Sequence, residues 1–193
     1  MAADVAIKSA IDMLILPSRV KAARAEPLPA GIEDVLRIVA GDEPFIADLV
    51  RATGREAETL HQAAAFYIEQ VLLHPGADMY RNLGSSPQVS TQDMRRNMAL
   101  LMAWLHPDKG VNSARQALAH RVMEAWHTLS NEARRGEYDA NLAQNMQVPG
   151  LHSRQDPHHE AGLRTYHVPS PSKRRRMLEN LRAFLLGQRP PLA

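Results

Sequence analysis

The fold is constrained most by two amphipathic segments that are separated by a short helix-breaking run, LHPDKG, at residues 105–110. The first segment opens on Ser90, and Asp93 three residues later gives a start that resembles a capping box. Its apolar face repeats at helical spacing through Met94, Met98, Leu101, Met102 and Leu105. The apolar face of the second segment consists of Leu118, Val122, Ala125 and Leu129. Two amphipathic helices joined by a short loop are expected to pack antiparallel.

The run LHPDKG contains more polar and charged side chains than are needed to end a helix. Pro107 fixes its own φ and disfavours helix for the residue before it, so the loop is ordered before any partner binds and loses less entropy on docking. Asp108 offers two acceptors for a charge-assisted pair with a cationic partner. Taken one at a time, Pro107 is also explained as a helix stop, Asp108 as a cap for the next turn and His106 as a packing residue. The flanking sequence has to decide between these interpretations.

The composition favours a helical protein from a reducing compartment. Hydrophobic residues make up 45% of the 193 residues, and aromatic residues only 5%, so aliphatic side chains and Met must fill the core. The chain has 0 Cys, which excludes disulfides, thiolate nucleophiles and Cys-based zinc sites. No metal and no cofactor is expected.

Charge is distributed unevenly along the chain. Counting Lys and Arg against Asp and Glu, residues 1–79 carry 7 against 12, residues 80–149 carry 8 against 6, and residues 150–193 carry 8 against 3. Such shifts indicate several units. The predicted units are an N-terminal helix and loop at 1–30, a helical unit at 31–77, the two-helix unit at 78–144, a flexible linker at 145–172, and a basic amphipathic helix with a tail at 173–193.

Within the front half, helical patterns cover residues 4–16, 31–40, 43–53 and 55–73. Pro17 ends the first, and the segment KAARAEPLPAG that follows is predicted to be a loop. His61 stands alone on the last of these helices and is interpreted as a surface or packing residue rather than a ligand. The segment 31–73 is predicted to form a small bundle without a chemical motif.

The unit at 78–144 resembles a J domain, the module of the DnaJ co-chaperone family. The family pattern is a Tyr-x-x-Leu-Gly start, a basic helix ending in Tyr-His-Pro-Asp-Lys, and a later Ala-Tyr-x-x-Leu-Ser-Asp-x-x-(Lys/Arg)-Arg-x-x-Tyr-Asp. This chain has YRNLGSSP at 80–87, LHPDKG at 105–110 and VMEAWHTLSNEARRGEYD at 122–139. The matching residues are Tyr80, Leu83, Gly84, Pro87, His106, Pro107, Asp108, Lys109, Ala125, Leu129, Ser130, Arg134, Arg135, Tyr138 and Asp139. With neither a Gly/Phe-rich linker nor Cys-rich repeats, the chain resembles the class that shares only the J domain.

The resemblance implies an all-α protein that is not an enzyme. J domains dock on the ATP-bound state of a DnaK-type heat-shock chaperone and stimulate its ATP hydrolysis, and an Arg of the chaperone's ATPase domain is the partner of the loop carboxylate. The chaperone-binding residues carried over are His106, Pro107, Asp108, Lys109, Arg95 and Arg96. The residues expected in the J-domain core are Tyr80, Leu83, Met98, Leu101, Leu105, Val122, Trp126 and Leu129.

The chain departs from the family on the outer face of the first long helix. Ala99 and Leu100 stand where the family tends to have two basic residues, and Trp104 stands where a Lys often precedes the Tyr. Leu100 and Trp104 lie four apart on one helical face. Either this face meets a chaperone with more apolar contact and less steering, or another part of the chain covers it. We favour a cover, by the 31–73 bundle or by a helix at 173–187, because an exposed Trp-Leu pair lowers solubility.

Two functions follow. The intact run at 106–108 favours a specialised co-chaperone that stimulates a DnaK-type ATPase. The residues at 99, 100 and 104 favour an adaptor that keeps the J fold for protein interaction but barely stimulates ATP turnover. A client or partner protein is a further possibility for the unit at 31–77.

The location expected from sequence is the cytoplasm. No stretch approaches the roughly 20 apolar residues that span a bilayer, and no signal-peptide pattern is clear near Lys8. The run KRRR at 173–176 lacks interleaved aromatic residues for base stacking, so nucleic acid is not an expected partner. The helix at 173–187 has only a short apolar face, so contact with a membrane surface is not favoured.

Overall fold

The structure is a computed structural model that describes residues 3–106 and 113–146, with side chains described for 5–106 and 113–144. All regular elements within these residues are helical, and the described ranges contain no strand. The all-α prediction is therefore confirmed for this part of the chain. The predicted linker beyond residue 146, the predicted basic helix at 173–193, and the loop residues Pro107, Asp108 and Lys109 lie outside the described residues.

The elements in chain order are α1 (Ala3–Ile15), a 3-10 turn (Pro17–Arg19), α2 (Val20–Ala25), α3 (Ile32–Ala40), α4 (Glu43–Thr53), α5 (Ala57–Tyr67), a π-helical turn (Ile68–Leu72), α6 (Met79–Asn82), α7 (Thr91–Leu105), α8 (Ser113–Leu129) and α9 (Glu132–Met146).

Local sequence explains several of the points where helices begin and end. The Asp42 side chain accepts a hydrogen bond from the backbone N–H of Phe45 at the start of α4, and the Ser90 hydroxyl accepts one from that of Asp93 at the start of α7. Gly41, with φ of 89°, ends α3 in the left-handed conformation that glycine adopts without a steric penalty. The predicted capping at Ser90 and Asp93 is confirmed.

The prediction of a loop over KAARAEPLPAG is partly wrong. Residues Val20–Ala25 form α2, which ends at Glu26 where the backbone becomes extended. The Ala-rich start of this segment has a high helix propensity, and the first proline comes only at position 27. The proline at position 27 thus indicates where the helix ends but does not prevent its formation.

One hydrophobic core runs through both halves of the described chain. Helix α1 packs against α5 and α3, α3 packs also against α7, and α7 pairs with α8. The side chains in this cluster include Ala6, Leu36, Leu72, Leu101 and Val122, all of which are fully buried. The core is therefore continuous across the predicted boundary between residues 77 and 78, and α1 belongs to it. His61 on α5 is buried, as expected for a packing residue.

Arginine side chains join the two halves by donating hydrogen bonds to helix-terminal carbonyls. The Arg121 guanidinium on α8 donates to the carbonyl oxygen of Leu73, just after the π-helical turn, over 2.5 Å. On α6, Arg81 donates to the carbonyl oxygens of Ala23 and Glu26 at the end of α2, over 3.3 Å and 2.5 Å. The last carbonyls of a helix have no intrahelical partner. These arginines therefore satisfy acceptors that packing would otherwise leave unpaired.

Replacing Arg121 by Met keeps most of the apolar stem but removes the donor to Leu73. We expect the free energy of unfolding in urea to fall by about 1–3 kcal/mol, since Leu73 is buried and its carbonyl would lose this hydrogen bond. The matched control is Arg51→Met on the exposed surface of α4, where the guanidinium pairs with Asp48 one turn away. That change should stay within about 0.5 kcal/mol. Equal losses in the two variants would contradict the role given to Arg121.

Candidate functional site

Helices α7 and α8 lie antiparallel. At one end of the pair, the Arg115 guanidinium near the start of α8 sits 5.1 Å from the ring centre of Trp104, one residue before the end of α7. At the other end, Arg135 on α9, shortly after α8, donates to the carbonyl oxygen of Val89 just before α7. The start of each helix is therefore close to the end of the other. The break at residues 106–112 joins them at the Trp104 end.

Most of the predicted core positions of this pair are buried. The buried ones are Tyr80, Leu83, Met98, Leu101, Leu105, Val122 and Leu129. Trp126 differs, because it is only partly buried and packs against the outside of the cluster. Its neighbours one helical turn away, Val122 and Leu129, already occupy the inner face of α8.

His106 is the C-terminal cap of α7 and is exposed. Its backbone angles, φ of −53° and ψ of 137°, are extended, as is usual for a residue that precedes proline. The helix therefore ends where the sequence predicted, and the exposed imidazole lies at one end of the helix pair. The remaining residues predicted for the site, Pro107, Asp108 and Lys109, lie outside the described residues.

Arg95 and Arg96, the basic residues predicted to bind the chaperone, are both exposed on the first half of α7. Arg96 is engaged by two carboxylates, that of Asp93 at 3.2 Å and that of Glu33 at 3.5 Å. Asp93 is one turn away on the same helix, whereas Glu33 belongs to α3. The structure thus places an acidic side chain from the front half of the chain beside the basic face of α7.

The second half of the same helix is covered. Leu100 and Trp104 are 9% and 7% exposed, and Ala99 and Ala103 are buried as well. Helix α3 packs against α7, and the Arg115 guanidinium lies over the Trp104 ring and donates a hydrogen bond to the Trp104 carbonyl. The expectation that Leu100 and Trp104 are covered rather than exposed is confirmed. The predicted helix at 173–187, the other candidate for this cover, lies outside the described residues.

A hydrogen-bonded cluster joins α6 to α9 at the far end of the pair. The Tyr80 hydroxyl donates to Oδ1 of Asp139 over 2.6 Å and accepts from Nε of Arg135 over 3.0 Å. The same guanidinium donates to the carbonyl oxygen of Pro87 over 2.8 Å. Nearby, the Tyr138 hydroxyl accepts from the backbone N–H of Met79 over 2.9 Å. Five residues that match the family pattern therefore meet around one short helix.

Burial raises the pKa of two hydroxyls in this cluster. It is the largest cause of the raised pKa values of the Tyr80 and Tyr138 hydroxyls, and for Tyr80 the hydrogen bond to Asp139 acts in the same direction. Both hydroxyls stay protonated at neutral pH, so that Tyr80 can donate to the carboxylate.

Sequence reasoning identified the residues of the cluster but not their contacts. Tyr138 and Asp139 on α9 are only partly exposed. A signal was present: Arg135, Tyr138 and Asp139 are spaced i, i+3, i+4 and share one face of a helix.

Other kinds of site find little support in the described residues. No group of three or more His, Cys, Asp or Glu side chains there could hold a metal ion. Among the helices of residues 3–106 and 113–146, none is long and apolar enough to cross a membrane.

Comparison with known proteins gives no relative from which a role could be transferred. The chain matches no protein-family model, no curated protein and no solved structure.

Proposed function

We propose that this protein is a J-domain co-chaperone of the class in which only the J domain is shared. In this proposal it docks on the ATP-bound state of a DnaK-type chaperone and stimulates ATP hydrolysis through the run His106-Pro107-Asp108. The proposal includes a cytoplasmic location.

The observation that carries the proposal is the meeting of motif residues that are far apart in sequence. Tyr80 comes from the first motif, and Arg135 and Asp139 come from the last, 55 and 59 positions later. The motif match did not depend on any contact between them. Their hydrogen bonds close the end of an antiparallel helix pair whose other end carries the break at His106. A chance resemblance of three short motifs would not require this arrangement.

The proposed action is a shift in the partner's conformational populations rather than bond-breaking chemistry. A carboxylate on a proline-fixed loop loses little entropy when it docks. Paired with an arginine of the chaperone in a contact that excludes water, Asp108 would make a strong charge-assisted hydrogen bond. Arg95 and Arg96 on the neighbouring face would steer the approach of an acidic surface.

A second function, an adaptor with weak or no stimulation, is favoured by one specific observation. The second half of the α7 outer face is buried under the rest of the chain, with Leu100 and Trp104 where the family tends to have cations. Steering would then depend on the first half of the helix alone. A partner or client bound through 31–77 would also have to leave the contact of α3 with α7 in place.

Single-turnover ATP hydrolysis by DnaK separates the two functions. We expect the native chain to accelerate hydrolysis and Asp108→Asn to return it to the basal rate, because the amide cannot form the charge-assisted pair. The matched control is Asp48→Asn, which makes the same chemical change on the exposed surface of α4 and should stimulate like the native chain. Equal stimulation by the native chain and Asp108→Asn would contradict the role given to Asp108, and no stimulation by either would favour the adaptor.

A further inference from the structure

Helix α7 has only two cations, Arg95 and Arg96, in its sequence TQDMRRNMALLMAWL. One of them is engaged from outside the helix, since Glu33 lies 63 positions away on α3 and reaches the Arg96 guanidinium at 3.5 Å. The side chains of Arg96 and Glu33 are 44% and 46% exposed. The pair is therefore in contact with solvent.

An ion pair this exposed contributes little to folding, typically about 0–1 kcal/mol. Its larger effect concerns an approaching partner. An acidic surface that binds Arg96 has to displace the carboxylates of Glu33 and Asp93 or bind with like charges beside it. Rim charges of this kind act mainly on the association rate and on its dependence on salt.

The rest of α7 contains no other cation that could attract an acidic surface. Beyond Arg96 the outer face continues with Ala99, Leu100, Ala103 and Trp104, all buried. A carboxylate beside Arg96 therefore acts on half of the basic charge that α7 carries.

We infer that Glu33 is a specificity-determining residue that weakens the docking of acidic chaperone surfaces on α7, by holding Arg96 and by placing a negative charge next to it. This inference rests on the proposed function and adds to it a residue outside the J-like unit. A chaperone with a strongly acidic docking surface is penalised most.

The test uses the full chain and DnaK held in its ATP-bound state, with affinity measured by biolayer interferometry and stimulation measured in parallel. Glu33→Gln should tighten binding about threefold or more at low salt, near ~50 mM, and the gain should disappear near ~500 mM because salt screens exposed charges. In an Arg96→Gln background the gain should be less than half as large.

The matched control is Glu58→Gln. It removes the same charge from an exposed position on α5, where the carboxylate accepts a hydrogen bond from Gln62, and it should leave affinity unchanged. Thermal unfolding of each variant checks that the fold is retained.

The outcomes separate the two proposals. If Asp108→Asn abolishes stimulation while Glu33→Gln binds like the native chain, the inference about Glu33 is wrong and the proposed function stands. A gain that persists at high salt, or that Glu58→Gln reproduces, also overturns the inference. If the native chain neither binds nor stimulates DnaK, both proposals fall.

Discussion

Replacing Leu101 by Ala is expected to lower the free energy of unfolding by about 3–5 kcal/mol, in the upper range for buried leucine. Leu101 is 0% exposed on the central stripe of α7, a helix that packs against both α3 and α8. The smaller side chain loses apolar burial and leaves a cavity that neighbours on two sides must collapse to fill. Urea unfolding followed by circular dichroism measures the loss.

The control for Leu101→Ala is Met123→Ala on α8, which truncates an apolar side chain that is 46% exposed. That variant should lose less than about 1 kcal/mol, because little of the side chain leaves water on folding. Since the core is shared, Leu101→Ala should also lower the unfolding transition of the whole described chain as one step. Separate transitions for the front half and for the α7–α8 pair would contradict a continuous core.

Replacing Tyr80 by Phe is expected to cost about 1–3 kcal/mol, although it removes only one oxygen atom. The Tyr80 hydroxyl is at once the donor to Asp139 and an acceptor for Arg135. Without it, a carboxylate and a guanidinium at a partly buried position each lose a hydrogen bond. Chemical unfolding measures the loss, and hydrogen exchange should show faster opening of α9.

Tyr67→Phe is the matched control for Tyr80→Phe. Tyr67 is equally buried, and within the described residues no hydrogen bond holds its hydroxyl. Removing that oxygen should change the unfolding free energy at neutral pH by less than about 0.5 kcal/mol. If both variants lose the same stability, the cluster around Tyr80 does not fasten α9 to α6.

Periodicity and capping were sufficient to predict the long helices. The apolar repeat of α7, its cap at Ser90 and its stop before Pro107 all follow from residues within a few positions of one another. The same holds for α3 and α4, which Gly41 separates. Within the predicted docking set, this local reasoning located His106, Arg95 and Arg96 on the helix and at its end. It also suggested that Leu100 and Trp104 are covered, because two large apolar side chains shared a face that the main stripe did not use.

The contacts between distant residues were not predictable in the same way. Nothing near Arg121 in sequence indicates that it caps the carbonyl of Leu73, and nothing near Glu33 indicates that it reaches Arg96. The short helix α2 was missed because the prolines that follow it, Pro27 and Pro29, suggested a loop. Trp126 was placed in the core by the family resemblance, whereas the structure leaves it only partly buried.

The sequence by itself determined which segments become helices and which of their faces avoid water, because propensity, caps and spacing act over one or two turns. Only the tertiary structure decided how those faces are shared. Helix α7 has apolar side chains on more than one face, and it packs against both α8 and α3. Pairing of this kind depends on the shape and volume of side chains that are far apart in the chain, and a local pattern carries no information about which distant surface will fit it.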